Sequence, residues 1–242
     1  MFVHYRTKGF VFKKVDRREA DQLFSIYTKD FGRLEILARA IRKMTSKLRS
    51  GIEIFNLSEI EFIQGKNYKT LTDAIVIEKF KNLREDLERL DVAHSIRQVL
   101  DDLIKGQESD ENIWNLLLEV FRKLDERNFK NTIIIYYYFF WKFLSILGYR
   151  PDLYNCLACE EKLKPENIYF SHKKQGIICK NCLSEDKSDI LVSPETIKII
   201  RFIGEKKLEL ISRLKINDKD LKGLKEFSKH YLSFILEISG QI

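Results

Sequence analysis

Apolar residues alternate with polar ones over short runs through the first third of the chain. Lys8–Lys13 (KGFVFK), Gln22–Thr28 (QLFSIYT), Arg33–Ala38 (RLEILA), Gly51–Leu57 (GIEIFNL) and Glu59–Gln64 (EIEFIQ) are rich in Phe, Ile, Val and Tyr. Such runs read as strands when turn residues separate them. Asp30-Phe31-Gly32, Ser50-Gly51 and Gly65-Lys66-Asn67 supply those breaks. Five short strands in about 70 residues predict a small barrel, with the oligonucleotide-binding (OB) barrel as the leading candidate. An SH3-like barrel is compatible with the same pattern.

The period changes near Asn82. Leu83, Leu87 and Leu90 share one helical face, and Val92, Ile96, Val99 and Leu103 continue it at three- and four-residue spacing. After a break at Gly106–Glu111, Ile113, Leu117, Val120 and Leu124 predict a second helix. Thr132–Leu147 (TIIIYYYFFWKFLSIL) predicts a third, ended by Gly148 and barred from continuing by Pro151. That stretch is shorter than the roughly 18 apolar residues that span a bilayer, and Lys142 interrupts it, so it reads as a buried helix. Ser193-Pro194-Glu195 is a helix start: a hydroxyl N-cap, proline at the first position and an acid in the first turn. A last helix runs from near Asn217 to about Ser239, with Leu221, Leu224, Phe227, Tyr231, Phe234 and Ile238 inward. The predicted architecture is α+β and multidomain: an N-terminal OB-fold barrel, residues 1–80, then an all-α domain, residues 81–152 and 191–242. The latter carries a cysteine module at 153–190.

The four cysteines are the sharpest chemical signal. Cys156, Cys159, Cys179 and Cys182 form two C-x-x-C pairs nineteen residues apart, within the spacing of a four-thiolate zinc site. Two disulfides are the alternative. They suit a short secreted chain, and Met1–Arg6 lacks the apolar core of a signal peptide, so a metal in the cytoplasm is the expectation. Four thiolates leave no open coordination position, which makes the zinc structural. His172 lies between the pairs, but four cysteines already complete the site.

Charge then locates a surface. The 242 residues carry a net charge of +7, and residues 1–80 hold sixteen Lys or Arg against ten Asp or Glu. The other 162 residues are nearly balanced, at 27 against 26. Leu37–Arg49 (LARAIRKMTSKLR) concentrates Arg39, Arg42, Lys43, Lys47 and Arg49, and no acid occurs from Ile36 to Ile52. Such a run on a small barrel is expected to follow a nucleic-acid backbone, with Thr45 and Ser46 adding hydroxyls; a solvated loop is the plainer reading. Lys29 and Arg33 are expected to extend the groove. Lys13, Lys14, Arg17 and Arg18 rank lower because Asp16, Glu19 and Asp21 dilute them. The aromatics Phe10, Phe12, Phe24, Tyr27, Phe31 and Phe55 read first as core. No P-loop, H-E-x-x-H, G-x-S-x-G or dinucleotide fingerprint occurs, so no enzyme class is indicated.

Several stretches taken together resemble the bacterial recombination mediator family RecO: Val11–Asp21 (VFKKVDRREAD), Leu23–Leu34 (LFSIYTKDFGRL), Arg42–Leu48 (RKMTSKL), Leu147–Cys159 (LGYRPDLYNCLAC) and Gln175–Cys182 (QGIICKNC). The sequence departs from that pattern at Glu160 and Gln175, where the family usually carries glycine. The resemblance implies an OB barrel that binds single- and double-stranded DNA, and a helical domain bearing a zinc module. It further implies a non-catalytic role in repair: annealing complementary strands, and with RecR assisting RecA loading onto DNA coated by single-strand-binding protein. Implied partners are DNA, RecR, the acidic tail of single-strand-binding protein and RecF, with no membrane. A zinc-bearing scaffold that binds only protein is the alternative.

Overall fold

The computed structural model describes residues 3–65, 67–164, 166–183 and 189–240. Lys66 of the expected turn, and residues 165 and 184–188 of the expected cysteine module, lie outside them. The chain divides into two compact units, 1–136 and 137–242.

In the first unit five strands, β1 (His4–Arg17), β2 (Asp21–Thr28), β3 (Gly32–Ala38), β4 (Leu57–Gln64) and β5 (Lys69–Glu78), close a barrel in the order β1-β2-β3-β5-β4. All pairs are antiparallel except β3–β5, whose parallel ladder is only Ile36↔Lys69 and Leu37↔Thr70. This is the arrangement expected of an OB barrel. The fourteen-residue β1 serves two neighbours: its first half pairs with β4 and its second half with β2, with a register shift at Val11/Lys13. Bulges of this kind let one strand bend around a small barrel.

Two strand assignments change. Gly51–Asn56 is not a strand: Phe55 takes φ +62°, and its N–H donates to the Val11 carbonyl (2.7 Å) while Val11 N–H donates to Asn56 (3.1 Å). A left-handed residue cannot continue a pleated strand, so this alternating segment caps the β1 bulge instead. The fifth strand is β5, which the sequence pattern missed. Its register slips opposite Glu61/Phe62, leaving Leu71 and Ala74 inward at a spacing of three rather than two.

The barrel interior is filled by Val11, Phe24, Ile26, Leu34, Ile36, Ile60, Phe62 and Leu71, with Ile41 and Ile52 from the β3–β4 connection plugging one end. Helices α1 (Lys81–Glu85), α2 (Leu87–Leu103) and α3 (Glu111–Asp125) follow. The β1 aromatics divide as period-2 pleating requires. Val11 points into the barrel, while Phe10 and Phe12 face α3, with Phe10 against Trp114 (5.3 Å) and Phe121 (5.2 Å). Of the six aromatics named above, all but Phe31 are fully buried, and Phe31 is half-buried.

The helix expected to run on from Asn82 is broken at Asp86, whose carboxylate accepts from Arg89 N–H and caps α2. The break turns Leu87 outward to 80% exposure, against expectation, and buries Arg89. Asp110 caps α3 by accepting from Asn112 and Ile113 N–H (2.7 and 3.1 Å).

α4 (Thr132–Ile146) is the buried aromatic helix, with Ile134, Ile135, Phe139, Phe140, Phe143 and Leu144 without exposure. It stops where expected: Gly148 takes φ +81° and Tyr149 N–H reaches back to the Leu144 carbonyl (2.8 Å). In the second unit β6 (Ile168–Ser171), β7 (Gly176–Cys179) and β8 (Ile190–Val192) form a small antiparallel sheet, order β7-β6-β8. The sequence pattern did not reveal it, because each strand has only three or four residues. α5 (Pro194–Glu205), α6 (Leu208–Ile211) and α7 (Asp218–Ile238) complete the unit. Phe170 of β6 meets Phe227, Tyr231 and Phe234 of α7 at 5.2–5.9 Å between ring centres. Ile238, expected inward, is 46% exposed in the last turn of α7. Ser193 Oγ accepts from Thr196 N–H (3.1 Å), so Ser193→Ala is expected to destabilise this unit by about 1 kcal/mol, read from its urea midpoint.

Candidate nucleic-acid interface and metal centre

The basic run lies in the β3–β4 connection and is stapled to the β1–β2 turn. Arg18 and Ala40 both adopt left-handed backbone, φ +52° and +53°, which brings the two turns alongside. Asp21 then accepts from Ala40 N–H (2.8 Å), and the Ala20 carbonyl accepts from Arg42 N–H (3.0 Å). Farther along, Ser58 Oγ donates to the Gly51 carbonyl (2.7 Å), and Gly51 lies so close to the Ala74 carbonyl that a Cβ there would collide. Cations are thus displayed on a loop fixed at both ends.

Two cavities result. The larger, of about 580 Å³, crosses the outer face of β2 and β3 and is lined by Arg17, Arg18, Leu23, Leu37, Arg39, Tyr68 and Thr70. It lies between the β1–β2 and β4–β5 turns, the position at which OB barrels take oligonucleotides. Tyr68 is 44% exposed in that groove. The smaller, of about 310 Å³, is lined by Lys14, Gln22, Arg42, Arg49 and Glu53 at the barrel end. Lys14 pairs with Glu53 (2.9 Å) and Arg42 with Asp16 (3.3 Å). Arg17, Arg18, Arg39, Lys43, Lys47 and Arg49 make no ion pair with any described residue. Unneutralised cations beside an exposed aromatic suit a polyanion that presents flat bases.

Lys29 and Arg33 are not brought to this surface. Arg33 opens β3 and Arg39 follows its end, about 20 Å apart at roughly 3.3 Å per residue. The Arg33 guanidinium is taken by the end of α2, pairing with Asp101 (2.9 Å) and donating to the Ile104 carbonyl (3.2 Å). Lys29 is exposed at that same barrel end. Conversely, Arg17 and Arg18, ranked low for their acidic neighbours, line the main groove. Of those acids, Asp16 is taken by Arg42, while Asp21 lines the same groove with its carboxylate held by the Ala40 N–H of the loop staple. Tyr68 was hidden with β5, because the turn that carries it has meaning only once the fifth strand is placed.

The four cysteine sulfurs converge, all within 4.8 Å of one another, and none is in a disulfide. Cys156 is buried, Cys179 and Cys182 are half-buried and Cys159 is exposed. A tetrahedron of sulfurs about 2.3 Å from a central zinc has edges near 3.8 Å. Cys159 Sγ and Cys179 Sγ are 3.8 Å apart. The first knuckle closes by Glu160 N–H donating to the Cys156 carbonyl (2.8 Å), and Cys179 N–H donates to Cys156 Sγ (3.3 Å) across the pair. Burial works against ionising Cys156, but the amides of Cys179, Cys159 and Ala158 outweigh it and bring the thiol down to about 6. Cys182 is pushed up to about 12, chiefly by its hydrogen bond with the Cys159 side chain. Metal binding to thiols releases their protons, and Cys156 is the cysteine whose surroundings favour the thiolate. This all-sulfur set fits a soft, tetrahedral ion such as zinc. His172 instead sets its ring against Phe170 (5.0 Å) and Phe234 (5.8 Å).

Residues 1–80 match the family profile described as Recombination protein O N terminal, and residues 84–240 match Recombination protein O C terminal. The chain belongs to the RecO family. It is 31% identical over 233 residues to a DNA repair protein RecO of Dehalococcoides mccartyi, covering 96% of this chain and 91% of that one. A DNA repair protein RecO of Thermodesulfovibrio yellowstonii is 31% identical over 242 residues, with 97% and 94% covered. That of Acetivibrio thermocellus is 29% identical over 234 residues, with 97% and 92% covered. The RecO N-terminal match coincides with the barrel, and the C-terminal match takes in the cysteine cluster. The two departures from the RecO pattern now have a physical meaning: Glu160 takes φ +61° and Gln175 φ +59°. Both stand where glycine would be unstrained, and each costs about 1 kcal/mol relative to it. Among the described residues no helix is long and apolar enough to cross a membrane.

Proposed function

We propose that this RecO-family chain is a non-catalytic DNA repair and recombination mediator. It binds single- and double-stranded DNA through residues 1–80, anneals complementary strands and, with RecR, assists RecA loading onto DNA coated by single-strand-binding protein. The acidic tail of that protein and RecF are further partners, and the place of work is the nucleoid in the cytoplasm. The observation that carries the reading is the groove over β2 and β3, where unpaired Arg17, Arg18 and Arg39 surround the exposed Tyr68. Arg42, Lys43, Lys47 and Arg49 extend it along the stapled loop. Contact of this kind is sequence-tolerant and salt-sensitive, as handling a bared strand of any sequence requires. Residues 153–190 form a module around a structural zinc on Cys156, Cys159, Cys179 and Cys182, carried by helical residues 81–152 and 191–242.

Five phosphate contacts on a single strand give log K against log salt a slope of about −3.5. The variant Arg39→Glu with Lys43→Glu reverses two cations that have no partner, so folding is spared. Its affinity for single strands of every sequence is expected to fall at least about thirtyfold, with the slope shrinking by about 1.4. Equal affinity and an unchanged slope in a fluorescence-anisotropy titration would defeat the proposed interface. A wild-type chain that shifts no oligonucleotide at low salt would favour the protein-only scaffold.

A further inference from the structure

The loop that displays the cations turns most of its large apolar residues inward. Ile41 and Ile52 are buried in the barrel, and Leu48 packs partly against its core. Met44 does the opposite: at 96% exposure it is the most exposed large apolar side chain among the described residues. It projects from two successive turns, in which Lys43 N–H donates to the Ala40 carbonyl (3.1 Å) and Ser46 N–H to the Lys43 carbonyl (3.0 Å). The staple from Ala40 and Arg42 to the β1–β2 turn holds the base of this tip.

A single exposed apolar residue is ordinary on a protein surface and carries no role by itself. Its setting here is what matters. Arg42, which pairs with Asp16, and the unpaired Lys43 and Lys47 flank Met44, and along the chain no acid occurs within eight residues on either side. A polyanion drawn to those cations sets its bases against the one apolar group present. Methionine is unbranched and polarisable, and such side chains enter base steps as wedges. We propose that Met44 is an apolar wedge that inserts between bases at an unstacked step, so that the chain prefers gapped duplex and single-strand–duplex junctions to uniform duplex. This rests on the nucleic-acid reading above and gives it a structural preference.

The test uses the full chain and oligonucleotides carrying 2-aminopurine, which brightens on unstacking, placed in turn at successive positions of a gapped duplex. Wild type is expected to raise the fluorescence at the occupied step. Met44→Ala removes no packing; it is expected to abolish most of that rise and to weaken gapped-duplex binding about tenfold. Its salt slope and its affinity for uniform duplex stay within about twofold of wild type, and Met44→Leu restores the signal. If Met44→Ala binds DNA with wild-type fluorescence and wild-type preference, the wedge is overturned and the exposed methionine belongs to a protein contact. Failure of the underlying reading looks different: the wild-type chain then binds no DNA at low salt, and both fall.

Discussion

Stripping the zinc proposed for the four cysteines is expected to unfold the cysteine module of the full chain while the barrel keeps its own melting transition. Beyond the packing of Phe170 on α7 and the Arg201 contact to Leu153, the module has a small core of its own. Its sheet has strands of three or four residues, and its buried apolar set is small: Leu153, Ile168, Phe170, Ile177, Ile178 and Val192. Apparent zinc-binding free energies of about 10–16 kcal/mol in small four-ligand domains exceed anything a sheet of that size supplies. Cys156→Ser should act more strongly than Cys159→Ser. Cys156 is buried, takes the Cys179 amide and ionises first, whereas Cys159 is exposed. The expected results are about one zinc released per chain on thiol modification, rapid proteolysis between Leu153 and Val192, and oligonucleotide affinity within about twofold of wild type. An apo chain that resists protease there would show that packing alone holds the module.

Replacing Arg89 with alanine is expected to destabilise the first unit by about 3–5 kcal/mol, the cost of breaking a buried charge network from one side. The residue is only 5% exposed. Its guanidinium donates to the carbonyls of Leu124 (2.5 Å), Glu126 (2.9 Å), Arg127 (3.2 Å) and Phe129 (2.9 Å), and it faces Asp86 at 3.4 Å. Those carbonyls end α3 and form the turn after it, so a cation there also answers the negative end of a helix dipole. Alanine removes a donor from all four carbonyls, of which Glu126 keeps the Phe129 N–H (3.1 Å). Lysine keeps the charge but not the planar fork, and is expected to recover less than half the loss. Urea unfolding of each variant, followed through Trp114 fluorescence, reads both values. A change below about 1 kcal/mol for Arg89→Ala would mean that water replaces the guanidinium.

What the sequence exposed and what it concealed follow from distance along the chain. Cysteine spacing is local, and all four sulfurs met as the spacing required. Helix starts at Ser193 and Asn217, and the stop at Gly148, are also local, and the structure places them there. Strand identity depends on partners far away. Gly51–Asn56 alternates like a strand but is bent by Phe55 onto the β1 bulge; β5 is a strand whose alternation is broken by a slipped register. Nothing in the sequence around Arg89, between Leu87 and Leu90, marks it as buried; only the turn after α3, 35 to 40 residues on, makes it a core residue. Among the basic residues, the run 39–49 stands out in the sequence because five cations and no acid fall within eleven positions. Arg33 was misleading because its partner Asp101 is 68 residues away in sequence.

The barrel closes along a two-pair parallel seam, Ile36↔Lys69 and Leu37↔Thr70, and Leu37 and Thr70 also floor the main groove. The seam joins residues 33 apart in sequence by only two pairs, so it is the least paired join of the barrel. Until it forms, β3 and β5 are open edges able to pair with another chain. A DNA strand bound across this groove, as proposed, would touch both sides of that join and act as a clasp. Occupancy then suppresses the barrel's opening in proportion to ligand bound, and the amides of Lys69 and Thr70 are where slower hydrogen exchange should register it.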